Sequence, residues 1–137
     1  MKLKFSIILI LLITFSGCID KNISNAKDAY SYWIKSDMKS EIEVINGKYW
    51  ESSHFTYEYI IYLELKVNVD WWTKFSKDNE LIIDPYKNER LYNNDFPKWF
   101  KPSKEFVTYK SKIDLDQGSM YFYNEKTQSV FIYEIQL

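Results

Sequence analysis

Cysteine is almost absent from this 137-residue chain, because Cys18 is the one cysteine that it contains. A single thiol excludes a disulfide within the chain, and it excludes zinc sites that are built from several cysteines. Glycine and proline are also scarce, at three residues each, which argues against a disordered chain rich in glycine and proline. The folded domain must therefore be stabilised by the packing of its apolar side chains.

Histidine is equally scarce, since His54 is the single histidine of the chain. The paired-histidine motifs of zinc enzymes are therefore excluded, and no serine stands in the GxSxG frame of a hydrolase nucleophile. We expect no enzyme activity, no metal and no cofactor, and we keep His54 as a candidate binding residue. The segment Asp114-Leu-Asp116-Gln-Gly118 resembles the start of a calcium loop, but its glycine comes one position early, which favours a polar turn.

No long run of one charge is present either. The chain has 18 basic and 19 acidic residues, and its isoelectric point is near 5.9. A nucleic-acid-binding domain typically has a basic stripe and a high isoelectric point. We therefore do not expect nucleic acid as a partner.

The amino-terminal segment has the pattern of a secretory signal peptide. Lys2 and Lys4 precede an apolar run from Phe5 to Phe15, which is too short for a membrane-spanning helix of about 20 residues. The segment Phe15-Ser16-Gly17-Cys18 resembles the lipobox of bacterial lipoproteins, although leucine is usual where Phe15 stands. The resemblance implies that residues 1–17 are a signal peptide, and that diacylglycerol and an acyl chain such as palmitate are attached to Cys18.

A lipid on Cys18 implies a lasting anchor in the cell envelope, since each buried CH₂ group contributes about 0.8 kcal/mol. Ile19 rather than aspartate follows Cys18, which in a Gram-negative cell implies the outer membrane, facing the periplasm. Removing Lys2 and Lys4 with the signal peptide leaves 16 basic and 19 acidic residues, a net charge of −3. We expect residues 18–25 to be a lipidated tether and residues 26–137 to be a single domain.

Two short helices are predicted within this domain. Apolar residues at helical spacing run from Ala26 to Ile34, behind Ser24 or Asn25 as the cap. A second helix is predicted to begin at Trp71, with the side chain of Asp70 as its cap.

The remaining pattern is that of strands. Asn46-Gly47 predicts the turn of a hairpin, and apolar residues that alternate from Phe55 to Val69 predict a long, bent strand. An irregular segment is predicted between Pro97 and Pro102. Residues 86–95 are predicted to be a loop, and three closing strands are predicted near 106–109, 120–123 and 130–137. The predicted fold class is α+β, a mainly antiparallel sheet of five or six strands with one or two short helices.

Aromatic residues are unusually frequent, with five Trp, twelve Tyr and nine Phe. Each large ring buries roughly 150–250 Å², so most rings are expected in the core. Trp71, Trp72, Trp99 and Phe100 are the candidates for an exposed binding surface, because exposed rings stack on sugars and anchor protein interfaces. Trp71 and Trp72 point about 100° apart on a helix, so we expect at least one of them to be partly exposed.

Four further segments are similar to a group of short Gram-negative lipoproteins without a known catalytic motif: Gly47-Lys48-Tyr49-Trp50, Glu58-Tyr59, Trp99-Phe100-Lys101-Pro102 and Tyr133-Glu134-Ile135-Gln136-Leu137. The resemblance implies an envelope location and no activity. We expect a membrane-anchored, non-enzymatic binding module whose partner is another envelope protein. An immunity-type role, in which the module blocks a toxin delivered to the periplasm, is one form of this. The alternative is a lipoprotein that binds glycan or peptidoglycan through exposed rings.

Overall fold

The computed structural model describes residues 19–35, 41–54, 56–85, 96–113 and 116–137. The strands are β1 Lys21–Ile23, β2 Ile42–Glu51, β3 Tyr59–Val67, β4 Leu81–Ile83, β5 Val107–Ser111, β6 Met120–Asn124 and β7 Ser129–Gln136, and the helices are α1 Ala26–Ile34 and α2 Val69–Asp78. The strands form one antiparallel sheet in the order β1-β2-β3-β7-β6-β5-β4. The α+β class is confirmed, and the described residues contain seven strands rather than the predicted five or six.

Three of the sequence predictions lie outside the described residues. They are the signal peptide over residues 1–17, the lipidation site Cys18 and the loop over residues 86–95. In the described ranges, neither helix has the length and apolar character that a bilayer crossing would need.

Strand β3 lies in the interior of the sheet and carries apolar side chains on both faces. Ile61, Leu63 and Leu65 are fully buried on one face, where α1 and α2 pack, and we call this the helix face. Ile60 and Tyr62 point to the other face, where they pack with residues of the segment 96–106, and we call this the loop face. Because both faces are apolar, both need a cover.

Aromatic rings of the irregular segment 96–106 cover the loop face. Phe100 is 3% exposed and lies edge-on to Phe131 of β7, with 5.3 Å between the ring centroids. Phe96 also packs edge-on to Tyr62 of β3, at 5.7 Å. The predicted irregular segment between the two prolines is therefore confirmed, and it closes the core on this side.

Helix α1 is fixed to the helix face by a cap and by close contact with β2. The Oδ1 of Asn25 accepts a hydrogen bond from the N–H of Asp28 at 3.1 Å, which is the usual N-cap arrangement. Gly47 lies directly beneath the helix: a Cβ at this position would be 2.9 Å from the carbonyl oxygen of Ala26 and 3.1 Å from the Cβ of Ala29. The absence of a side chain at Gly47 is therefore what lets the helix approach the sheet.

The predicted hairpin turn at Asn46-Gly47 is wrong. β2 runs unbroken from Ile42 to Glu51, with a bulge between Val44 and Asn46 that shifts its register against β3. Glycine within a strand often marks a close backbone approach, and here the approaching backbone is that of α1. A contact between segments that are distant in sequence therefore overrides the local turn signal.

The segment predicted as a tether is mostly part of the fold. Residues Lys21–Ile23 form β1, which pairs with Tyr49, Trp50 and Glu51 of β2. β1 and β4 are the two edge strands of the sheet, and β4 comes from the short apolar run at 81–83. No strand is predicted from the sequence at either of these three-residue segments, which is why the predicted total of five or six strands is too low.

The remaining predicted elements differ little from the structure. α2 begins at Val69, capped by Asn68 rather than by Asp70, because Oδ1 of Asn68 accepts from the N–H of Trp71 at 2.7 Å. The long predicted strand begins later than expected, at Tyr59. The three closing strands, β5, β6 and β7, are confirmed, and β6 and β7 form the predicted hairpin.

Replacing Gly47 with alanine tests the contact between α1 and β2. We expect Gly47→Ala to lower the free energy of unfolding by about 1–3 kcal/mol, because the new Cβ forces two backbones apart. The matched control is Lys48→Ala, at an exposed neighbouring position, for which a change within about 0.5 kcal/mol is expected. Urea unfolding followed by circular dichroism measures both, and equal stability of the two variants would contradict the packing role.

Candidate functional site

The structure does not bring the predicted binding residues together. Trp71 and Trp72 lie on α2, over the helix face, whereas Trp99 and Phe100 lie in the segment that covers the loop face. His54 is exposed in the loop between β2 and β3. The sheet separates the two pairs of rings, so the four rings do not form one surface.

Two of the four candidate rings are core residues, and their assignment as binding residues is corrected. Trp72 is 6% exposed and Phe100 is 3% exposed, and Trp72 stacks on Tyr123 with 4.5 Å between ring centroids. Their large apolar area is used in packing, which leaves no ring face for a ligand. Trp71 and Trp99 are half-buried, so the prediction that one of Trp71 and Trp72 is partly exposed is confirmed.

An open cleft of about 500 Å³ lies at one end of the sheet. It is situated where β3 and β6 begin and where β5 and β7 end, and Asn79 at the end of α2 also contributes to its wall. The polar groups that matter most for its chemistry are Tyr59, Asp116, Gln117, Ser119, Tyr121 and Glu134. The cleft is therefore lined by hydroxyl, amide and carboxyl groups.

Two hydrogen bonds hold the carboxyl group of Glu134 in one orientation. Its Oε1 accepts from the hydroxyl of Tyr59 at 2.5 Å, and its Oε2 accepts from Nε1 of Trp33 at 2.8 Å. Tyr59 belongs to β3 and Trp33 to α1, so two elements converge on one residue of β7. A carboxylate has about four acceptor sites, so these bonds leave capacity for a ligand.

The second carboxyl group belongs to Asp116, in the turn before β6. Its Oδ1 accepts from the N–H groups of Gly118 at 3.3 Å and Ser119 at 3.0 Å. Gly118 has φ +114°, a conformation that glycine adopts most readily. The described residues 116–118 thus lie in a polar turn, as expected, while Asp114 lies outside the described residues.

Gln117 joins this turn to the end of β7. Its Nε2 donates to the carbonyl oxygen of Leu137 at 2.6 Å, and its Oε1 accepts from the N–H of the same residue at 2.5 Å. The side-chain amide thereby makes the two hydrogen bonds that a neighbouring strand would make. These two bonds hold the turn that carries Asp116 against the end of β7, the strand that carries Glu134.

The two cleft tyrosines are neutral at pH 7, as is any tyrosine with the usual pKa of about 10, and their environment raises the pKa of both further. Burial raises the pKa of Tyr59, and its hydrogen bond to Glu134 raises that pKa further. Burial also raises the pKa of Tyr121, together with the negative charges of Glu134 and Asp116. Of the described residues that line the cleft, none is Lys or Arg. Its charged side chains are therefore acidic, and its tyrosines are neutral.

No group of three or more histidine, cysteine or acidic side chains that could hold a metal is found among the described parts of the chain. No protein-family model, curated protein or solved structure matched this chain. The chemistry of the cleft is therefore inferred from its own residues, and it suits a ligand that is positively charged or rich in hydrogen-bonding groups.

Sequence reasoning missed the cleft, although one signal for it was present. In β7 the side chains of Val130, Ile132 and Glu134 point to the same face, and the first two are fully buried. An acidic residue that continues an apolar alternation is unusual, since burying a carboxylate requires hydrogen-bonding partners. In the sequence pattern Glu134 also fits the last predicted strand, 130–137, which gives it no separate role.

Separate alanine substitutions of Trp71 and Trp72 test whether Trp72 is the core residue and Trp71 the partly exposed one. We expect Trp72→Ala to lower the free energy of unfolding by about 3–5 kcal/mol, because it leaves a cavity in the core. Trp71→Ala is the matched control and should cost clearly less, since its ring is half-buried. Urea unfolding measures both, and a larger loss for Trp71→Ala would contradict the assignment.

The buried tyrosines predict a loss of stability in alkali. Burial raises the pKa of Tyr30 to about 12, and burial also raises the pKa of Tyr49, Tyr59 and Tyr121. These groups have a pKa of about 10 in the unfolded chain, so they stabilise the fold fully below pH 10 and lose this contribution as the pH rises above it.

Urea unfolding between pH 8 and pH 11 measures this loss. We expect a steep fall in the free energy of unfolding above pH 10, to which each such tyrosine adds up to about 1.4 kcal/mol per pH unit. Tyr59→Phe is the control, since it removes one titrating group and should make the fall less steep. An unchanged slope in Tyr59→Phe would contradict the shifted pKa of Tyr59.

Proposed function

We propose that this chain is a bacterial envelope lipoprotein, anchored through Cys18, that acts as a non-enzymatic binding module for another envelope protein. We further propose that the cleft at the end of the sheet receives a positively charged side chain of that partner. The supporting observation is that the cleft carries the carboxyl groups of Asp116 and Glu134 and has no basic residue among its described lining residues. A toxin that is blocked in the periplasm is one form that such a partner would take.

The fixed orientation of Glu134 supports the proposal. Its hydrogen bonds to Tyr59 and Trp33 hold it in place before any ligand arrives, so little side-chain entropy is lost on binding. A hydrogen bond to a charged group contributes about 1.5–3 kcal/mol. A lysine or arginine side chain that enters the cleft would gain such a bond from Glu134, and the negative charge of Asp116 in the same cleft would add to the attraction.

Glycan binding remains the alternative, but it has less support. Sugars bind through stacking on exposed rings, and two of the four candidate rings, Trp72 and Phe100, are buried in the core. The other two, Trp71 and Trp99, lie on opposite faces of the sheet. The hydroxyl and amide groups of the cleft would suit a sugar, whereas its acidic charge favours a cationic group.

The test is crosslinking of the intact lipidated protein in its native membrane, followed by identification of what is recovered. We expect one dominant protein partner, and we expect Asp116→Asn to reduce its recovery tenfold or more, which corresponds to about 1.4 kcal/mol. This substitution keeps an Oδ1 acceptor for the turn and removes only the charge. Higher salt should weaken the interaction, as expected for a contact between charges.

The matched control is Glu125→Gln, which removes an exposed acid from the turn between β6 and β7, at the opposite end of the strands. Recovery of the partner should be unchanged in this variant. Equal recovery with Asp116→Asn would argue against the cleft as the contact site. If no protein is recovered and the protein instead binds muropeptides, the glycan alternative replaces the proposal.

A further inference from the structure

The chain is fixed to the domain almost immediately after Cys18. The N–H and the Oγ of Ser53 both donate to Oδ1 of Asp20 at 3.1 Å, and Nε1 of Trp50 donates to Oδ2 at 3.3 Å. The hydrogen bonds from Ser53 lower the pKa of Asp20, which means that they favour the charged carboxylate. β1 begins at the next residue. Ile19 is thus the single residue between Cys18 and the folded domain.

This geometry sets how far the domain can lie from a lipid on Cys18. An extended chain spans at most about 3.3–3.6 Å per residue, so the Cα atom of Asp20 lies at most about 7 Å from that of Cys18. If residues 19–25 were all free, they would have allowed up to about 25 Å. If Cys18 carries acyl chains, as the proposed function states, the surface around Asp20 must lie at the level of the lipid headgroups.

The surface at this point combines exposed apolar and aromatic residues with lysines. Ile19 is 86% exposed, Tyr32 is 47% exposed and Tyr57 is 42% exposed. The Nζ of Lys21 lies 4.6 Å from the ring centroid of Tyr32, and that of Lys35 lies 4.4 Å from the ring centroid of Tyr57. We call these five residues the anchor surface.

The anchor surface is held together by Tyr49 of β2, which is buried beneath it. Its ring stacks on that of Tyr32, with 6.1 Å between centroids, and its hydroxyl lies 3.2 Å from that of Tyr57. Glu51 accepts from the Tyr49 hydroxyl at 2.5 Å and pairs with Lys21 at 3.4 Å. The surface is therefore preformed, and the charge of Lys21 is balanced by a neighbouring acid.

We infer that the anchor surface lies against the headgroups of the membrane that holds Cys18. Tyrosine is enriched at membrane–water interfaces because its ring is apolar and its hydroxyl is polar. Lysines near a membrane surface are attracted to the phosphates of anionic lipids, and Lys35, whose ammonium group lies over the ring of Tyr57, is placed for such a contact. The position of Cys18 selects a lipid surface as the occupant, since a bound protein would have to fit between this surface and the bilayer.

Site-specific labelling of the full lipidated protein tests this inference. Cys18 is the one cysteine and its sulfur would carry lipid, so an added cysteine can be labelled alone. A fluorophore is attached to Thr56→Cys, next to the anchor surface, or to Lys126→Cys. The protein is reconstituted in vesicles of phosphatidylethanolamine and phosphatidylglycerol that contain a lipid with a spin-labelled headgroup.

The two label positions are exposed and lie at opposite ends of the strands. β7 alone separates these ends by seven residue steps, or about 24 Å. We expect quenching of the label at Thr56→Cys to be several-fold stronger than at Lys126→Cys. We also expect Lys35→Glu to weaken the quenching at Thr56→Cys, whereas Lys126→Glu, at the opposite end of the strands, should not change it.

Mass spectrometry of the mature protein separates failure of this inference from failure of the proposed anchor. If Cys18 carries acyl chains and the two labels are quenched equally, the inference is overturned and the anchor stands. If Cys18 carries no acyl chains, both are overturned. Stronger quenching at Thr56→Cys in the acylated protein supports the inference, and it says nothing about which protein enters the cleft.

Discussion

The fold depends on a central pair of strands, β3 and β7, that are apolar on both faces. On the helix face, Ile61, Leu63 and Ile132 are fully buried, and burying each such side chain contributes about 1.5–3 kcal/mol. On the loop face, Tyr62 stacks on Tyr133 at 5.2 Å. A sheet of this kind is stable only when both faces are covered, and here two short helices cover one face and the segment 96–106 covers the other. The proline-bordered segment is therefore part of the core rather than a connection on the surface.

Elements with strong local signals could be predicted from the sequence. α1 has apolar residues at helical spacing and the Asn25 cap, and the hairpin of β6 and β7 has two apolar strands around a polar turn. The predictions failed where distant contacts decide the structure. Gly47 lies in a strand because α1 packs on it, and β1 exists because the edge of β2 supplies its hydrogen bonds.

The candidate site could not be predicted for the same physical reason. Its fixed carboxyl group, that of Glu134, accepts from Tyr59, 75 residues away, and from Trp33, 101 residues away. No local spacing motif can describe such a set, because the sheet topology brings its members together. The prediction from aromatic content failed differently. Composition identifies rings that can bind a ligand, but it cannot distinguish a buried ring such as Trp72 from a half-buried one such as Trp71.

Tyr59 connects the two surfaces to which we assign roles. Its hydroxyl donates to Glu134 in the cleft, and its ring stacks on Tyr49, beneath the anchor surface, with 6.0 Å between centroids. The cleft is therefore next to the anchor surface, at the same end of the strands.

If the anchor surface lies on the bilayer, the cleft opens beside the membrane, and a partner must approach it along the lipid surface. The β4 edge is separated from β1 by six strand spacings, or about 29 Å. A partner that bound the β4 edge would meet no such restriction. If Cys18 carries a lipid, the short connection from Cys18 to Asp20 would therefore determine which side of the sheet is available to soluble proteins and which is available to proteins at the membrane.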